Sequence, residues 1–180
     1  MRKFLAIPVI LFPYTLLLGL YCLYTGFLME DVFRGNGYLL IAALFLCALI
    51  AFGFTLGICI SALVGKADGR GMARLNMAVK LCHVPAYIAV FLLSLLFLIS
   101  IWGIGFVVVF VLYDLAAIGM TGLIGAVSAF RSVAEGKLTK AQGVAFALLQ
   151  FVFCADIVVC ILLYIRSGGR KAEANAASER

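Results

Sequence analysis

Charged residues are scarce in this chain. Only 12% of its 180 residues are Asp, Glu, Lys or Arg, whereas 66% are hydrophobic. A soluble domain carries about 25% charged residues, because water must solvate its surface. A soluble globular fold is therefore excluded, and the apolar side chains must face lipid or one another. The composition predicts an all-α, polytopic transmembrane helical bundle.

Residue types that build metal and catalytic sites are also rare. The chain holds one histidine, His83, and its six cysteines lie in or beside apolar runs without a C-x-x-C spacing. Buried cysteine behaves as a small hydrophobic group, so we expect no disulfide framework, no metal site and no cofactor. The G-x-S-x-G, H-E-x-x-H and P-loop motifs are absent. We therefore expect a protein that is not an enzyme.

Long apolar runs predict five membrane spans, since a span needs about 20 apolar residues. The runs lie near residues 4–28, 39–64, 84–101, 105–130 and 143–165. The third and fourth come from one stretch too long for a single span. We place its turn at residues 102–105, where glycine relaxes the backbone and tryptophan favours the membrane interface. Residues 1–166 form one bundle in this prediction, and the small, polar segment 167–180 is a disordered tail.

The distribution of basic residues predicts a cytoplasmic N-terminus. With five spans, nine of the fourteen Lys and Arg residues fall on the N-terminal side: Arg2, Lys3, Lys66, Arg70, Arg74, Lys80, Arg131, Lys137 and Lys140. Such an excess is typical of cytoplasmic loops, so the net charge of +6 does not indicate a nucleic-acid partner. A rival arrangement has four spans and a re-entrant segment at 115–130. Charge favours four spans because the basic tail then lies inside, whereas apolar length favours five.

Two acidic residues inside predicted spans are the main candidates for chemistry. Asp114 and Asp156 lie at similar depths if there are five spans. An Asp at the centre of a span costs about 2.5–3.5 kcal/mol on insertion. One interpretation is a mid-membrane site for protons or cations, with Gln150 as a further polar group. The other is a protonated Asp that donates a structural hydrogen bond between helices.

Small residues at four-residue spacing mark a helix-packing face on the second span. The ladder consists of Gly53, Gly57, Ser61 and Gly65. Small side chains let a second helix approach closely within lipid. We expect the partner helix to belong to the same chain; the alternative is a second copy or another membrane protein.

Polar and proline residues near the predicted cytoplasmic interface suggest further contacts. Lys80 and His83 lie on one side of a helix, and we expect them to contact lipid headgroups, since one histidine does not make a usual metal site. In the first span, Pro8 and Pro13 lack a backbone N–H. They should therefore free carbonyl groups and bend the helix.

The segments Asn76–Tyr87, NMAVKLCHVPAY, and Gln150–Asp156, QFVFCAD, resemble a family of small, uncharacterised bacterial multi-span membrane proteins. The resemblance implies a membrane location and no established activity. The expected function is a non-enzymatic protein that packs against itself or another membrane protein in the lipid bilayer. The alternative is a small oligomeric transporter or channel component that uses Asp114 and Asp156 for protons or cations. A polar cavity that reaches both acids would favour transport, whereas a dry bundle with an exposed glycine ladder would favour packing.

Overall fold

Helices make up the bundle in the computed structural model, which describes residues 2–65, 67–99, 103–152 and 155–178. Within these ranges there are seven: α1 (Arg2–Tyr24), α2 (Gly26–Phe33), α3 (Gly37–Val64), α4 (Gly69–Leu98), α5 (Ile104–Ala134), α6 (Lys140–Leu149) and α7 (Ala155–Ser178). Four of the described helices, α1, α3, α4 and α5, are long and apolar enough to cross a membrane. These helices agree with the expected class, a helical membrane bundle.

Side-chain caps fix where several helices begin. Asn36 and Asp68 precede α3 and α4, and their side-chain oxygens accept hydrogen bonds from backbone N–H groups of the first turn. Thr139 and Gln142 form a capping box at the start of α6. Such caps satisfy donors that the helix itself leaves unpaired. The cap at Asp68 matters most, because it starts α4 well before the predicted third span.

The core lies where α1, α3, α4 and α5 meet. Val9, Ile58, Val79 and Ile124, one from each of these helices, are completely buried and pack in one cluster. Lipid tails are as apolar as these side chains, so close van der Waals packing rather than the hydrophobic effect holds the helices together. The large apolar side chains on the outer faces are exposed, as expected for surfaces that face lipid.

The loops between α3 and α4 and between α5 and α6 lie together at one end of the bundle, which we call the basic end. The Lys137 ammonium lies 2.9 Å from Asp68 Oδ1 and 2.6 Å from Glu135 Oε2. Arg131 Nε donates to the Ala67 carbonyl at 2.9 Å. The hydrogen bond from Lys137 also holds the pKa of the Asp68 carboxyl below its usual value. These contacts tie the two loops to each other.

α6 runs from the basic end toward the interior. Near its start, Gly143 lies against Val133 of α5, and just beyond its end, Gln150 lies against Gly125. Because α5 runs toward the basic end, α6 is antiparallel to it and runs away from that end. Gly125 lies nine residues before Ala134, which is roughly 14 Å of helix. Measured from the basic end, Gln150 therefore lies at a depth of about half the thickness of a hydrocarbon core, which is about 30 Å.

α7 returns to the basic end beside α4. Asp156, in its first turn, pairs with Lys80, and Gly168 lies against Arg70 near the start of α4. Helices α6 and α7 therefore form a hairpin. Its tip includes residues 150–152, and residues 153 and 154 lie outside the described part of the chain.

The hairpin corrects two predictions. The predicted fifth span, 143–165, is not one continuous helix, because the chain reverses after Leu149. The re-entrant segment of the rival arrangement is also misplaced, since 115–130 lies inside the uninterrupted helix α5. Apolar length does not distinguish one span from two shorter apolar helices that lie side by side.

The other boundaries agree more closely. The predicted second and fourth spans, 39–64 and 105–130, match α3 and α5. Of the predicted turn at 102–105, Gly103 precedes α5, residues 104 and 105 lie within α5, and residue 102 is outside the described ranges, as are 100 and 101. The predicted third span starts too late, at 84 instead of Gly69, and the predicted first span divides at Thr25 into α1 and α2. The sequence predicts a disordered tail at 167–180, but the backbone of α7 is helical as far as Ser178. The Ala-rich composition of that segment favours helix; residues 179 and 180 lie outside the described residues.

Candidate functional site

A row of polar side chains lies on one face of α4. Asn76, Lys80, His83 and Tyr87 follow one another at spacings of four, three and four residues, which places them on the same side of the helix. Asn76, Lys80 and His83 are each 0% exposed. The early start of α4 explains this burial, since Lys80 lies eleven residues, or roughly 16 Å, beyond Gly69. The prediction that Lys80 and His83 contact headgroups is therefore wrong.

The hairpin supplies the partners of this row. Lys80 Nζ donates to Asp156 Oδ2 at 2.9 Å and to the Gln150 carbonyl at 3.2 Å. The side chains of Lys80 and Asp156 are 0% and 3% exposed. We call Asn76, Lys80, His83, Gln150 and Asp156 the polar cluster.

The ends of the two hairpin helices lie beside the two members of the Lys80–Asp156 pair. Removing two charges from water is costly, so a buried ion pair needs further favourable contacts. Lys80 lies beside the Gln150 carbonyl, at the C-terminal end of α6, where the helix dipole is negative. Asp156 lies in the first turn of α7, where the dipole is positive. Each charge therefore lies at the helix end that stabilises it.

Two buried amides form the second part of the polar cluster. Asn76 Nδ2 donates to Gln150 Oε1 at 3.1 Å. The Gln150 side chain fits because Gly125 has none: a Cβ at Gly125 would lie 2.5 Å from Gln150 Oε1. Asn76 Oδ1 and Gln150 Nε2 have no hydrogen-bond partner among the described residues. One buried acceptor and one buried donor thus remain unsatisfied at the hairpin tip, which is unusual in a native protein.

His83 ties the polar cluster to α1. Its Nε2 atom lies 2.9 Å from the Val9 carbonyl. This carbonyl is available because Pro13, four residues later, has no N–H to donate to it. A carbonyl only accepts, so Nε2 donates; Nδ1, 3.3 Å from the Tyr87 hydroxyl, can then accept from it in the neutral ring. The carbonyl that proline was expected to free therefore binds the one histidine.

A groove of about 330 Å³ leads from the bundle surface to the polar cluster. Its lining is mainly apolar and includes Ile88, Phe91 and Ile118, with Tyr87 and Asp156 as its polar members. Asp156 is part of the lining, so its carboxylate adjoins the groove.

Asp114 does not join the polar cluster. It is half-buried on α5, and among the described residues no hydrogen bond or ion pair links it to Asp156. Tyr87 interacts electrostatically with both carboxylates, so Asp114 lies in the neighbourhood. The sequence allows Asp114 and Asp156 to meet but does not require it, and the structure pairs Asp156 with a base, Lys80. Sequence reasoning missed Lys80 and Asn76 in this role, although their helical spacing with His83 and Tyr87 was the available signal.

The glycine ladder lies on the outside of the bundle. Gly53 and Gly65 are exposed, and Gly57 is half-exposed. A Cβ added at Gly53 or Gly57 would meet no described side chain or backbone atom within 4 Å. The expectation that these glycines pack against a helix of the same chain is therefore wrong. Their face is open to lipid or to a helix from another molecule.

The polar cluster contains one base and one acid that can exchange a proton. A proton can move from Lys80 to Asp156 without a change in the net buried charge. Among the described residues, no group of three or more His, Cys, Asp and Glu side chains could hold a metal ion. No protein-family model, curated protein or solved structure matches this chain.

Proposed function

We propose that the chain crosses the membrane four times and that α6 and α7 form a re-entrant hairpin. The return of α7 to the basic end supports this topology. By their places along the chain, twelve of the fourteen Lys and Arg residues then fall on one side; Arg34 falls on the other, and Lys80 lies in the interior of the bundle. This bias is stronger than the nine of fourteen given by five spans, and it assigns the N-terminus and the C-terminal tail to the cytoplasm.

We further propose that the protein is a small proton-linked transporter or channel component. In this proposal the hairpin is the part that responds to protonation. The groove is mainly apolar and is lined by Asp156 but not by Asp114, so it is not the polar cavity expected of a transporter. The observation that carries this proposal is instead the buried pair of Lys80 and Asp156 at the hairpin tip. Buried ion pairs contribute little net stability, and apolar side chains of similar size often replace them without loss. Ionisable groups at this depth are therefore best explained by function. Non-helical backbone at membrane depth is tolerated where it is buried in protein or lines a water-filled cavity, and broken helices at this depth form the substrate sites of many transporters.

The mechanism follows from the charges. With both groups ionised, the Lys80 ammonium holds the tip through Asp156 and the Gln150 carbonyl. A proton that reaches Asp156 neutralises it and leaves Lys80 as an unpaired buried charge. That state is costly, so the tip moves or Lys80 releases its proton toward the basic end. Either step couples proton movement to a change at the hairpin.

A proton-flux assay tests the proposal. Purified protein is reconstituted into proteoliposomes with a membrane potential, and proton entry is followed with a pH-sensitive dye. We expect flux above that of protein-free liposomes for the wild type, and its loss in Asp156→Asn, Lys80→Met and the double variant. The double variant is the decisive control, because it removes both charges and should keep the fold. Retained flux in a folded double variant, or no flux in the wild type, would refute the proposal.

A second candidate function is association with another membrane helix, and the exposed ladder favours it. The open face at Gly53 and Gly57 is suited to close approach of a helix from a second copy or another membrane protein. Gly57→Leu should leave the stability of the single chain unchanged but weaken self-association in detergent, as measured by sedimentation. Unchanged association would restrict the ladder to contact with lipid or with a different protein. The same variant should keep proton flux if the hairpin works within one chain.

A further inference from the structure

Two adjoining cavities at the basic end differ in chemistry. The smaller, of about 240 Å³, is lined by Asp68, Arg70, Gly71 and Arg74. The larger, of about 540 Å³, shares Asp68, Gly71 and Arg74 with it and continues between α1 and α4. Its remaining lining is apolar: Ala6, Ile10, Met72, Leu75, Ala78 and Val79. In this subsection we call the smaller, polar cavity the cup and the larger, mainly apolar cavity the groove. The cup opens into the groove.

The cup carries two guanidinium groups that both lie near the Tyr164 ring. The Arg70 and Arg74 Cζ atoms lie 5.7 Å and 5.9 Å from the centre of the Tyr164 ring, and Arg74 donates a hydrogen bond to the Tyr164 hydroxyl at 3.3 Å. Arg70 and Arg74 are four residues apart on α4, so they are neighbours on the helix surface and their like charges repel; an anion that binds both relieves the repulsion. The one carboxylate in the cup, Asp68, is already paired with Lys137 at 2.9 Å. The cup therefore presents a net positive charge to a ligand.

The groove has the depth of one membrane leaflet. From Asp68 to Val79 is eleven residues of chain along α4, or roughly 16 Å. Half of a hydrocarbon core of about 30 Å is about 15 Å. The cup lies at the end of the bundle where basic loops gather, and the groove runs from it toward the bundle centre. This arrangement matches an amphiphile with an anionic head and an apolar chain.

We propose that this is a binding site for an anionic phospholipid. The phosphate lies between Arg70 and Arg74, where planar guanidinium groups bind phosphate through paired hydrogen bonds. One acyl chain lies in the groove against Ile10, Leu75 and Ala78. The site is separate from the polar cluster and holds whether or not the hairpin moves protons.

The test measures lipid binding to the purified full-length protein in detergent by native mass spectrometry and by thermal stabilisation. The probes are phosphatidylglycerol, phosphatidylcholine of the same chain length, and inorganic phosphate. We expect phosphatidylglycerol to bind more tightly than phosphatidylcholine. Arg70→Gln and Arg74→Gln should each weaken phosphatidylglycerol binding about fivefold, the effect of about one basic contact at a membrane surface. Lys140→Gln is the matched control, because it removes an exposed positive charge at the same end but outside the cup.

A second variant tests the groove. Ala78 is exposed and lines it, so Ala78→Phe should fill the groove without disturbing the core. It should weaken phosphatidylglycerol binding while the response to phosphate stays unchanged. Equal binding of the two lipids, arginine variants no weaker than Lys140→Gln, or full stabilisation by phosphate alone would overturn the proposal.

Discussion

Removing one partner of the Lys80–Asp156 pair should destabilise the protein far more than removing both. The two charged atoms are 2.9 Å apart and buried, so their attraction is about 6 kcal/mol at an effective dielectric constant of about 20. Asp156→Asn leaves the Lys80 charge buried without its partner, and Lys80→Met leaves the Asp156 carboxylate in the same position. Either variant should lose about 3–5 kcal/mol of stability. For a chain of this length, that loss lowers the unfolding temperature by about 6–20 °C.

The double variant removes both charges and should restore stability to within about 1 kcal/mol of wild type, or exceed it. The interaction energy from the four proteins should therefore exceed about 3 kcal/mol. Unfolding followed by circular dichroism in mixed micelles of dodecyl maltoside and dodecyl sulfate gives the four values. Asp114→Asn is the matched control, since Asp114 is half-buried and takes part in none of the ion pairs among the described residues; it should change stability by less than about 1 kcal/mol. Additive effects of the two single variants would refute the buried-pair interpretation.

Two further predictions concern the contacts that hold the hairpin tip and α1. Gly125→Ala should cost about 1–3 kcal/mol by crowding Gln150, measured by the same unfolding assay, whereas Gly119→Ala on the same helix meets no described atom within 4 Å and should be close to neutral. His83→Phe should cost about 1–3 kcal/mol because it leaves the carbonyl freed by Pro13 without a donor. That cost should fall in a Pro13→Ala background, where residue 13 regains its N–H; an equal cost in both backgrounds would contradict the account.

Much of the fold could be predicted from the sequence. The scarcity of charge and the long apolar runs predict a helical membrane bundle, and the runs near 39–64 and 105–130 coincide with α3 and α5. Apolar length is sufficient here because each of these helices is one uninterrupted apolar segment.

The hairpin could not be predicted in the same way, because residues 143–165 have the length and composition of a single span. The reversal depends on tertiary contacts: Gly125 makes room for Gln150, and Lys80 binds the carbonyl at the end of α6. Basic residues in the tail were the one sequence signal that pointed toward a chain that returns.

The candidate site was predicted in part. Asp156 and Gln150 stand out as polar residues in an apolar run, and the structure places them together. Lys80 was assigned to the interface because the basic segment 65–80 has the composition of a loop. The cap at Asp68 starts α4 early enough to carry Lys80 into the interior, and a cap is a weak signal beside so many positive charges.

Accessibility labelling tests the proposed topology most directly. Single cysteines replace Arg34, Lys137 and Arg166 in a cysteine-free protein, and intact and opened membrane vesicles are treated with a membrane-impermeant thiol reagent. The native side chains of Arg34 and Arg166 are exposed, and that of Lys137 is partly buried at the bundle surface. We predict that positions 137 and 166 react from the same side and position 34 from the opposite side. Reaction of positions 137 and 166 from opposite sides would show that 143–165 crosses the membrane, and the re-entrant hairpin would be refuted.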